Sequence, residues 1–128
     1  MKAQVSVEFM VLILILLLIF ILYVQNGFSL QKDNISIGID QEAKRLSDKI
    51  AFEINMAVKS GTGYQRRFLV GESFAGISNF DISVNDYVVS ISWNQRYVGS
   101  QITTRSINGT VDKGWNLIEN KDGVIYVS

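Results

Sequence analysis

The sequence predicts an α+β protein, in which a long N-terminal hydrophobic α-helix precedes a small antiparallel β-sheet domain packed on the distal half of that helix. Residues 9–24 form a run of 16 apolar side chains without a charge, a glycine or a side-chain amide. After Tyr64 the apolar spacing changes from three-and-four to alternation, which is typical of strands. A helical first half and a β-rich second half follow from these two patterns.

The composition limits the classes of function. With 128 residues the chain has room for one modest domain and one long helix. Its 12 basic and 12 acidic residues cancel, so a nucleic-acid partner is not expected. The chain has no cysteine, which excludes cysteine nucleophiles, and no histidine, which is the usual general base and the commonest metal ligand. We expect neither an enzyme nor a cofactor-binding protein.

The apolar run is long enough to cross a membrane only if Ser6 and Glu8 lie near the headgroups. A spanning helix needs about 20 residues, and residues 5–24 supply that length. Lys2 precedes the segment, so the N-terminus is expected in the cytoplasm and the remainder outside. A plain uncleaved anchor fits the same composition. A cleaved secretory peptide is less favoured, because its small-residue site would be Gly27-Phe28-Ser29.

A second helical segment follows the apolar run. No proline interrupts residues 25–37, so the helix can continue through them, straight or bent, or it can melt locally there. The part that follows is amphipathic, with an apolar stripe that repeats every three or four residues. Lys59 and Gly61 mark its C-terminal end. The stripe consists of Ile39, Ala43, Leu46, Ile50, Ile54 and Ala57. The remaining faces are expected to carry Gln41, Glu42, Lys44, Arg45, Asp48, Lys49 and Glu53.

Seven strands are predicted after the helix, at residues 66–70, 81–84, 87–93, 96–99, 101–107, 115–119 and 124–127. Turn pairs separate several of them, and Asn-Gly and Asp-Gly pairs favour tight hairpins. The predicted turns are Asn85-Asp86, Asn94-Gln95, Asn108-Gly109 and Asp122-Gly123. The side chains expected to face the core are Ile82, Val84, Val89, Ile91, Trp93, Trp115, Leu117, Val124 and Tyr126.

The N-terminal motif carries a family resemblance. Gln4, Ser6, Glu8 and Phe9, followed at once by the apolar helix, resemble the archaeal class III signal peptide of type IV-like pilins. The resemblance implies a pilin-like lollipop, cleaved between Ala3 and Gln4 by a prepilin peptidase. Its segments would be a leader at 1–3, a transmembrane or filament-core helix at 4–26, an amphipathic extension at 27–60 and an antiparallel β domain at 61–128.

A weaker similarity continues to the start of the first strand. Pilins of this group often end the long helix in a glycine-rich turn with a tyrosine and then begin a strand at phenylalanine. Ile54-Asn55, Gly61-Thr62-Gly63-Tyr64 and Phe68-Leu69 are similar to that passage. The resemblance therefore covers about half of the chain.

Glu8 has three possible roles. It can mark the membrane interface near the helix start, where a carboxylate also suits the helix dipole. It can neutralise the amine that cleavage would create on Gln4 of the same molecule, four residues away. It can instead pair with that amine on a neighbouring subunit and set the register of a filament. Cyclisation of an N-terminal glutamine would remove the amine.

The function expected from the resemblance is that of a structural subunit, which polymerises through its N-terminal helix into an extracellular archaeal filament for attachment. A minor pilin or a monomeric single-span surface protein is the alternative. An archaellum filament subunit is also possible, but such subunits usually have a glycine-rich leader and not this motif. The expected partners are further copies of the chain, the prepilin peptidase and, before assembly, membrane lipid. Two sequons, at Asn34 and Asn108, are candidates for N-glycosylation, and Asn108 is favoured because it lies on a predicted turn.

Overall fold

The computed structural model confirms the α+β class, with a long apolar helix first and a small, mainly antiparallel β domain after it. It describes the backbone of residues 1–128 and the side chains of residues 1, 4–27 and 35–128. Along that backbone a helix, α1 (Lys2–Ser60), precedes seven strands. The chain divides into two compact units, Met1–Ile37 and Gly38–Ser128. The second unit contains the last part of α1 and all the strands.

The strands of the second unit form two sheets rather than one. They are β1 (Gln65–Val70), β2 (Asp81–Asn85), β3 (Val88–Trp93), β4 (Arg96–Gln101), β5 (Ile107–Gly109), β6 (Gly114–Lys121) and β7 (Val124–Val127). One sheet has the order β1-β6-β7-β5 and the other β2-β3-β4. All pairs are antiparallel except β5 with β7, which is parallel.

Glycine ends the helix, as predicted. Gly61 directly follows α1 with a φ of 81°, and its N–H donates to the carbonyl of Val58 at 3.3 Å. This left-handed conformation is one that glycine adopts without the steric cost of a Cβ. The N–H of Gly63 then donates to the Asn120 carbonyl at 2.9 Å, so the chain leaves the helix directly alongside β6.

The predicted helical stripe forms the centre of the core. Ala43, Ile50, Ile54 and Ala57 are completely buried, and they pack with the inner faces of both sheets. Ile39 and Leu46, at the edge of the same cluster, are partly buried. The stripe was identified correctly because a periodicity of 3.6 residues determines one face of a helix without reference to any partner.

Glu53 was expected on a polar face and is instead buried. It lies three residues after Ile50 and four before Ala57, and therefore on the same face of α1 as these stripe residues. Its carboxylate is 3.5 Å from Arg66 Nε on β1, although Oε2 accepts no hydrogen bond. A buried carboxylate requires a compensating charge, and Arg66 provides it. The prediction was wrong because that arginine comes from a strand beyond the helix.

The orientation of β6 is the reverse of the predicted one. Trp115, expected in the core, is 71% exposed, and Tyr126 on the neighbouring β7 is also exposed. Leu117 and Val124 are only partly buried, whereas Ile118 and Ile125 are fully buried. A strand has two faces and a period of two, so one wrong assignment moves every side chain of that strand to the other side.

Two asparagines explain why β6 chooses this orientation. Asn116 and Asn120 are buried beside Ile118. The side chain of Asn116 accepts from the Asp112 N–H at 2.9 Å and donates to the Asp112 carbonyl at 2.8 Å. The side chain of Asn120 donates to the Ala57 carbonyl at 2.8 Å, close to the end of α1. Both amides satisfy backbone groups that regular secondary structure leaves unpaired, so their burial is stabilising.

The predicted hairpin at Asn108-Gly109 is also wrong. Both residues belong to β5, which pairs with β7 in parallel, and residues 102–106, predicted as strand, lie between β4 and β5. Gly109 has a φ of 102°, and a Cβ placed there would lie 1.9 Å from the Val127 carbonyl oxygen. The glycine thus permits close contact between two strands, which is a second common reason for a glycine in a β region.

Replacing Gly109 with alanine should therefore destabilise the domain by roughly 2–4 kcal/mol, through backbone strain and displacement of β7. Gly123→Ala is the matched control: its φ is 84°, but no atom lies within 4 Å of the added Cβ. The control should lose only about 1 kcal/mol, from strain alone. Urea unfolding followed by circular dichroism measures both values. Equal losses would contradict the steric role of Gly109.

A polar cluster joins the helix to the three-stranded sheet. The hydroxyl of Ser47, fully buried, donates to the Val89 carbonyl at 2.9 Å. Lys44 Nζ donates to Asp48 Oδ1 at 2.8 Å and to Ser100 Oγ at 2.8 Å. The hydrogen bonds from Lys44 and then from Ser100 lower the pKa of Asp48 below its ordinary value of 3.8, against the opposing effect of desolvation. The ionised carboxylate therefore stabilises this junction.

The stability of the wild-type protein should depend on the ionisation of Asp48 in acid. Since folding lowers the pKa of Asp48, its contribution is complete above pH 3.8 and is lost as the pH falls through the lower folded value. The side chain is 56% exposed, so solvent screening keeps the effect small. In thermal unfolding, the difference between wild type and Asp48→Asn should be constant near neutrality and shrink below pH 3.8. A difference that does not vary with pH would contradict this assignment.

Candidate functional site

The first part of α1 is the candidate site, because nothing within the described chain covers it. Within the described residues, Gln4–Gly27 is the stretch of helix long and apolar enough to cross a membrane. Its 24 residues extend about 36 Å at 1.5 Å per residue, more than the roughly 30 Å of a hydrocarbon core. Every side chain in it is exposed. By length and composition this helix could act as a membrane anchor or as a signal sequence.

The apolar surface surrounds the helix on all sides. Val5, Phe9, Leu14, Phe20 and Tyr23 are among its most exposed large side chains. A helix that is apolar on all sides is stable where lipid or other apolar helices surround it, not in water. Near its far end, Asn26 donates its side-chain amide to the Leu22 carbonyl at 3.0 Å, which satisfies that amide within the helix.

The motif residues all lie in the first turns of this helix. Gln4 and Glu8 are four residues apart and therefore lie on the same face. Ser6 and Phe9 are exposed beside them. The structure thus brings Gln4 and Glu8 together and leaves Ser6 on a different side. Lys2 and Ala3, the predicted leader residues, lie outside the described side chains.

Glu8 is the one charged residue in Gln4–Gly27. Within the described residues its carboxylate makes no hydrogen bond and no ion pair, and its neighbours Val5, Val7 and Phe9 are apolar. A carboxylate in apolar surroundings is strongly disfavoured unless a cation or a hydrogen-bond donor accompanies it. Within the described residues, the Glu8 carboxylate therefore lacks a cation or hydrogen-bond donor, at a defined position along the helix axis.

The favoured sequon lies in the second unit, on β5 rather than on a turn. Asn108 and Thr110 are exposed, so the asparagine amide is accessible. Asn108 is in register with Tyr126 of β7. Gly109, the middle residue of the sequon, is required by the close approach to Val127. Asn34, the other sequon asparagine, lies outside the described side chains.

The described residues offer no alternative site of metal chemistry. Within the described side chains, no group of three or more carboxylates is placed to hold a metal ion. The acids Asp86, Glu119 and Asp122 lie at turns or on exposed strand faces, and Glu119 pairs with Lys121 at 2.6 Å. These carboxylates therefore do not converge on a common point.

Comparisons with protein-family models, with curated proteins and with solved structures found no match to this chain. The functional assignment therefore depends on the helix, its carboxylate and the motif around it.

Proposed function

We propose that this chain is a structural subunit of an archaeal type IV-like surface filament, and that it polymerises through residues 4–26 of its N-terminal helix. The main support is the uniformly apolar helix that carries a single carboxylate without a partner in its own described chain. Assembly supplies what this helix lacks. Neighbouring helices cover the apolar surface, and a neighbouring subunit provides the cation for Glu8.

The proposed precursor is a membrane protein with a cytoplasmic N-terminus. Before assembly, lipid surrounds residues 4–26, and residues beyond the helix lie outside the cell. A prepilin peptidase removes Met1, Lys2 and Ala3, which leaves Gln4 with a free α-amine. The transfer from lipid into a helix bundle costs little hydrophobic free energy, because one apolar environment replaces another.

Pairing between Glu8 and the Gln4 amine of the next subunit would set the register of the filament. In an apolar bundle an unpaired charge is strongly destabilising, whereas a hydrogen-bonded ion pair is tolerated. Subunits would therefore stop sliding at the one axial offset that joins the two groups. Repetition of a head-to-tail contact without closure produces an open helical filament.

The β domain, residues 61–128, would form the outer surface of such a filament and provide attachment. An N-glycan on Asn108 would add a hydrated layer to this surface, because Asn108 is exposed in its sequon. Glycosylation of Asn34 would act in the same way.

Shearing filaments from cells of the source organism, followed by intact-mass measurement and electron microscopy, tests the proposal. We expect long assemblies whose chains begin at Gln4, with added glycan mass that disappears in Asn108→Gln. A loss of ammonia from Gln4 would exclude its amine as the partner of Glu8. Soluble chains that begin after Val24 would contradict the proposal.

A minor pilin, or a monomeric single-span surface protein, is the second candidate. The observation that favours it is the complete core of Gly38–Ser128, in which Ile50, Ile118 and Ile125 are fully buried within one chain. This unit requires no neighbour to bury its own core. Chains that begin at Met1 and remain monomeric in membranes would support the anchor, and a low copy number within filaments would support the minor pilin.

A further inference from the structure

The outer face of the three-stranded sheet carries a polar row that spans all three strands. The register aligns Asp81 of β2 with Ser92 of β3, and Ser92 with Tyr97 of β4. All three are exposed, whereas Val89 and Ile91 on the opposite face of β3 are fully buried against the core. Since neighbouring strands are about 4.8 Å apart, the carboxylate, the hydroxyl and the phenol follow one another at short, regular intervals.

A shallow cleft of about 420 Å³ lies at this end of the sheet. Its volume falls within the range of about 300–1,000 Å³ that is common for small-molecule sites. The polar row forms one part of the wall. The β3–β4 turn and Asn79 form the rest. Besides Arg96, the polar residues of the lining are Asn79, Asp81, Ser92, Asn94, Gln95 and Tyr97.

The polar groups of the cleft are not used by the fold. Within the described residues, no hydrogen bond or ion pair joins the side chains of Asn79, Asp81, Asn94 or Gln95 to another residue. The ring of Tyr97 is 79% exposed and makes no aromatic contact within the same residues. The cleft therefore offers two kinds of contact to a ligand, namely free donors and acceptors and an open aromatic face.

Core contacts on the inner face hold the strand beneath the cleft in place. Trp93, a lining residue that is only 5% exposed, contacts Phe74 edge-to-face at 5.3 Å, and Phe74 contacts Phe80 at 5.0 Å. At the other wall, Arg96 NH1 donates to Asp40 Oδ1 at 3.1 Å, which joins the start of β4 to the helix. The strands that carry the polar row are thus fixed before a ligand arrives, which limits the entropic cost of binding.

We infer that this cleft binds a neutral saccharide. A pyranose ring presents hydroxyl groups around its edge, which match amide, carboxylate and hydroxyl partners, and an apolar C–H face, which matches the exposed ring of Tyr97. The charges of the cleft disfavour anions and divalent cations. The lining guanidinium, Arg96, already pairs with Asp40, so anions are disfavoured, and the single carboxylate of Asp81 is too few ligands for a divalent cation.

The inference extends the proposed function by naming what the outer surface would attach to, but it does not depend on filament assembly. It is tested on single full-length chains in lipid nanodiscs made without glycolipid or sugar-based detergent. The chain has two tryptophans. Trp115→Phe removes the exposed one, so that the fluorescence of Trp93 then reports on the cleft. The probes are neutral oligosaccharides ending in glucose, galactose, mannose or N-acetylglucosamine.

At least one of these oligosaccharides should change Trp93 emission and show saturation transfer from the protein in NMR. Tyr97→Ala should weaken binding about three- to tenfold, whereas Tyr97→Phe, which keeps the ring, should stay within about twofold. Tyr87→Ala, an exposed tyrosine at the other turn of the same sheet, should bind as the parent does. These surface substitutions should not change the melting temperature.

No response to any oligosaccharide by either method would overturn the inference, as would equal binding by Tyr97→Ala and the parent. Equal losses in Tyr97→Phe and Tyr97→Ala would contradict stacking on the ring. Since the chains are monomers in nanodiscs, a negative result concerns only the cleft. Absence of filaments from cells concerns only the proposed function.

Discussion

Glu8→Ala should abolish filament assembly while leaving membrane insertion intact. In the proposed filament, the substitution would leave the amine of a neighbouring subunit without its anion inside an apolar bundle. Removing one partner of a buried ion pair typically costs about 3–5 kcal/mol. That loss recurs at each subunit contact, so filaments should fall below detection in electron micrographs of sheared material. Insertion should become slightly easier, because a charged side chain in a membrane helix costs up to about 3 kcal/mol.

Two controls separate charge from shape and from processing. Glu8→Gln keeps the size of the side chain and removes its charge, so it should also fail to assemble. Val7→Ala alters a side chain of the same turn that does not belong to the motif, and it should assemble. Membrane fractions must show chains that begin at Gln4 in every variant, since loss of cleavage would itself block assembly. Normal filaments from Glu8→Ala would exclude the role assigned to this carboxylate.

Ile54→Ala should cause the largest loss of folding stability, because Ile54 has no exposed surface at the centre of the core. It belongs to the cluster that joins α1 to both sheets. Removing a buried isoleucine side chain beyond Cβ typically costs about 2–5 kcal/mol, from lost burial and from the cavity left behind. Urea unfolding of the Gly38–Ser128 unit in the full chain, followed by near-ultraviolet circular dichroism, should show a lower midpoint with an unchanged denaturant slope.

Phe52→Ala is the matched control for this effect. Phe52 lies two residues away on the same helix and is 56% exposed, so its truncation removes a larger side chain from outside the core. It should change stability by less than about 1 kcal/mol. If Phe52→Ala destabilised the domain as much as Ile54→Ala, burial would not explain the difference between these positions.

The helix could be predicted from the sequence because its signals are local. Each signal is a pattern of residues close together in the sequence. These patterns are the apolar run, the repeat of three or four residues from Ile39 to Ala57, and the glycine at position 61. Glu53 is the exception, since its burial depends on Arg66 from another element. Local patterns thus located the helix and its core face, and failed where a distant charge changed the burial of one residue.

The sheets were less predictable because strand faces and partners depend on distant residues. The choice between Trp115 and Asn116 as the inward residue of β6 depends on backbone groups near Asp112, which Asn116 satisfies. Apolarity alone favours the tryptophan. Likewise, the sequence Asn108-Gly109 alone predicts a hairpin turn. Its actual place in a strand follows only from the parallel pairing with β7. The strand boundaries were largely correct, whereas orientation and pairing required the fold.

The candidate sites divide in the same way. The motif can be recognised in the sequence because its residues lie within six consecutive positions: Gln4, Ser6, Glu8 and Phe9. The cleft residues Asp81, Ser92 and Tyr97 cannot be recognised in this way, because they come from three strands and meet only through their register. The sequence contained one usable signal, a polar residue at every second position of β2 and again at Ser90 and Ser92 of β3.

The attachment of the helix to the two sheets has a mechanical consequence. Bonds to strand carbonyls are distributed along residues 38–60: Lys44 donates to Gly99, Ser47 to Val89 and Lys49 to Leu69. Tension along the helix axis would load these bonds together, in shear, instead of opening them one after another. Unfolding under such a pull therefore requires several of these bonds to break at once, a property that would suit the attachment role proposed for this chain.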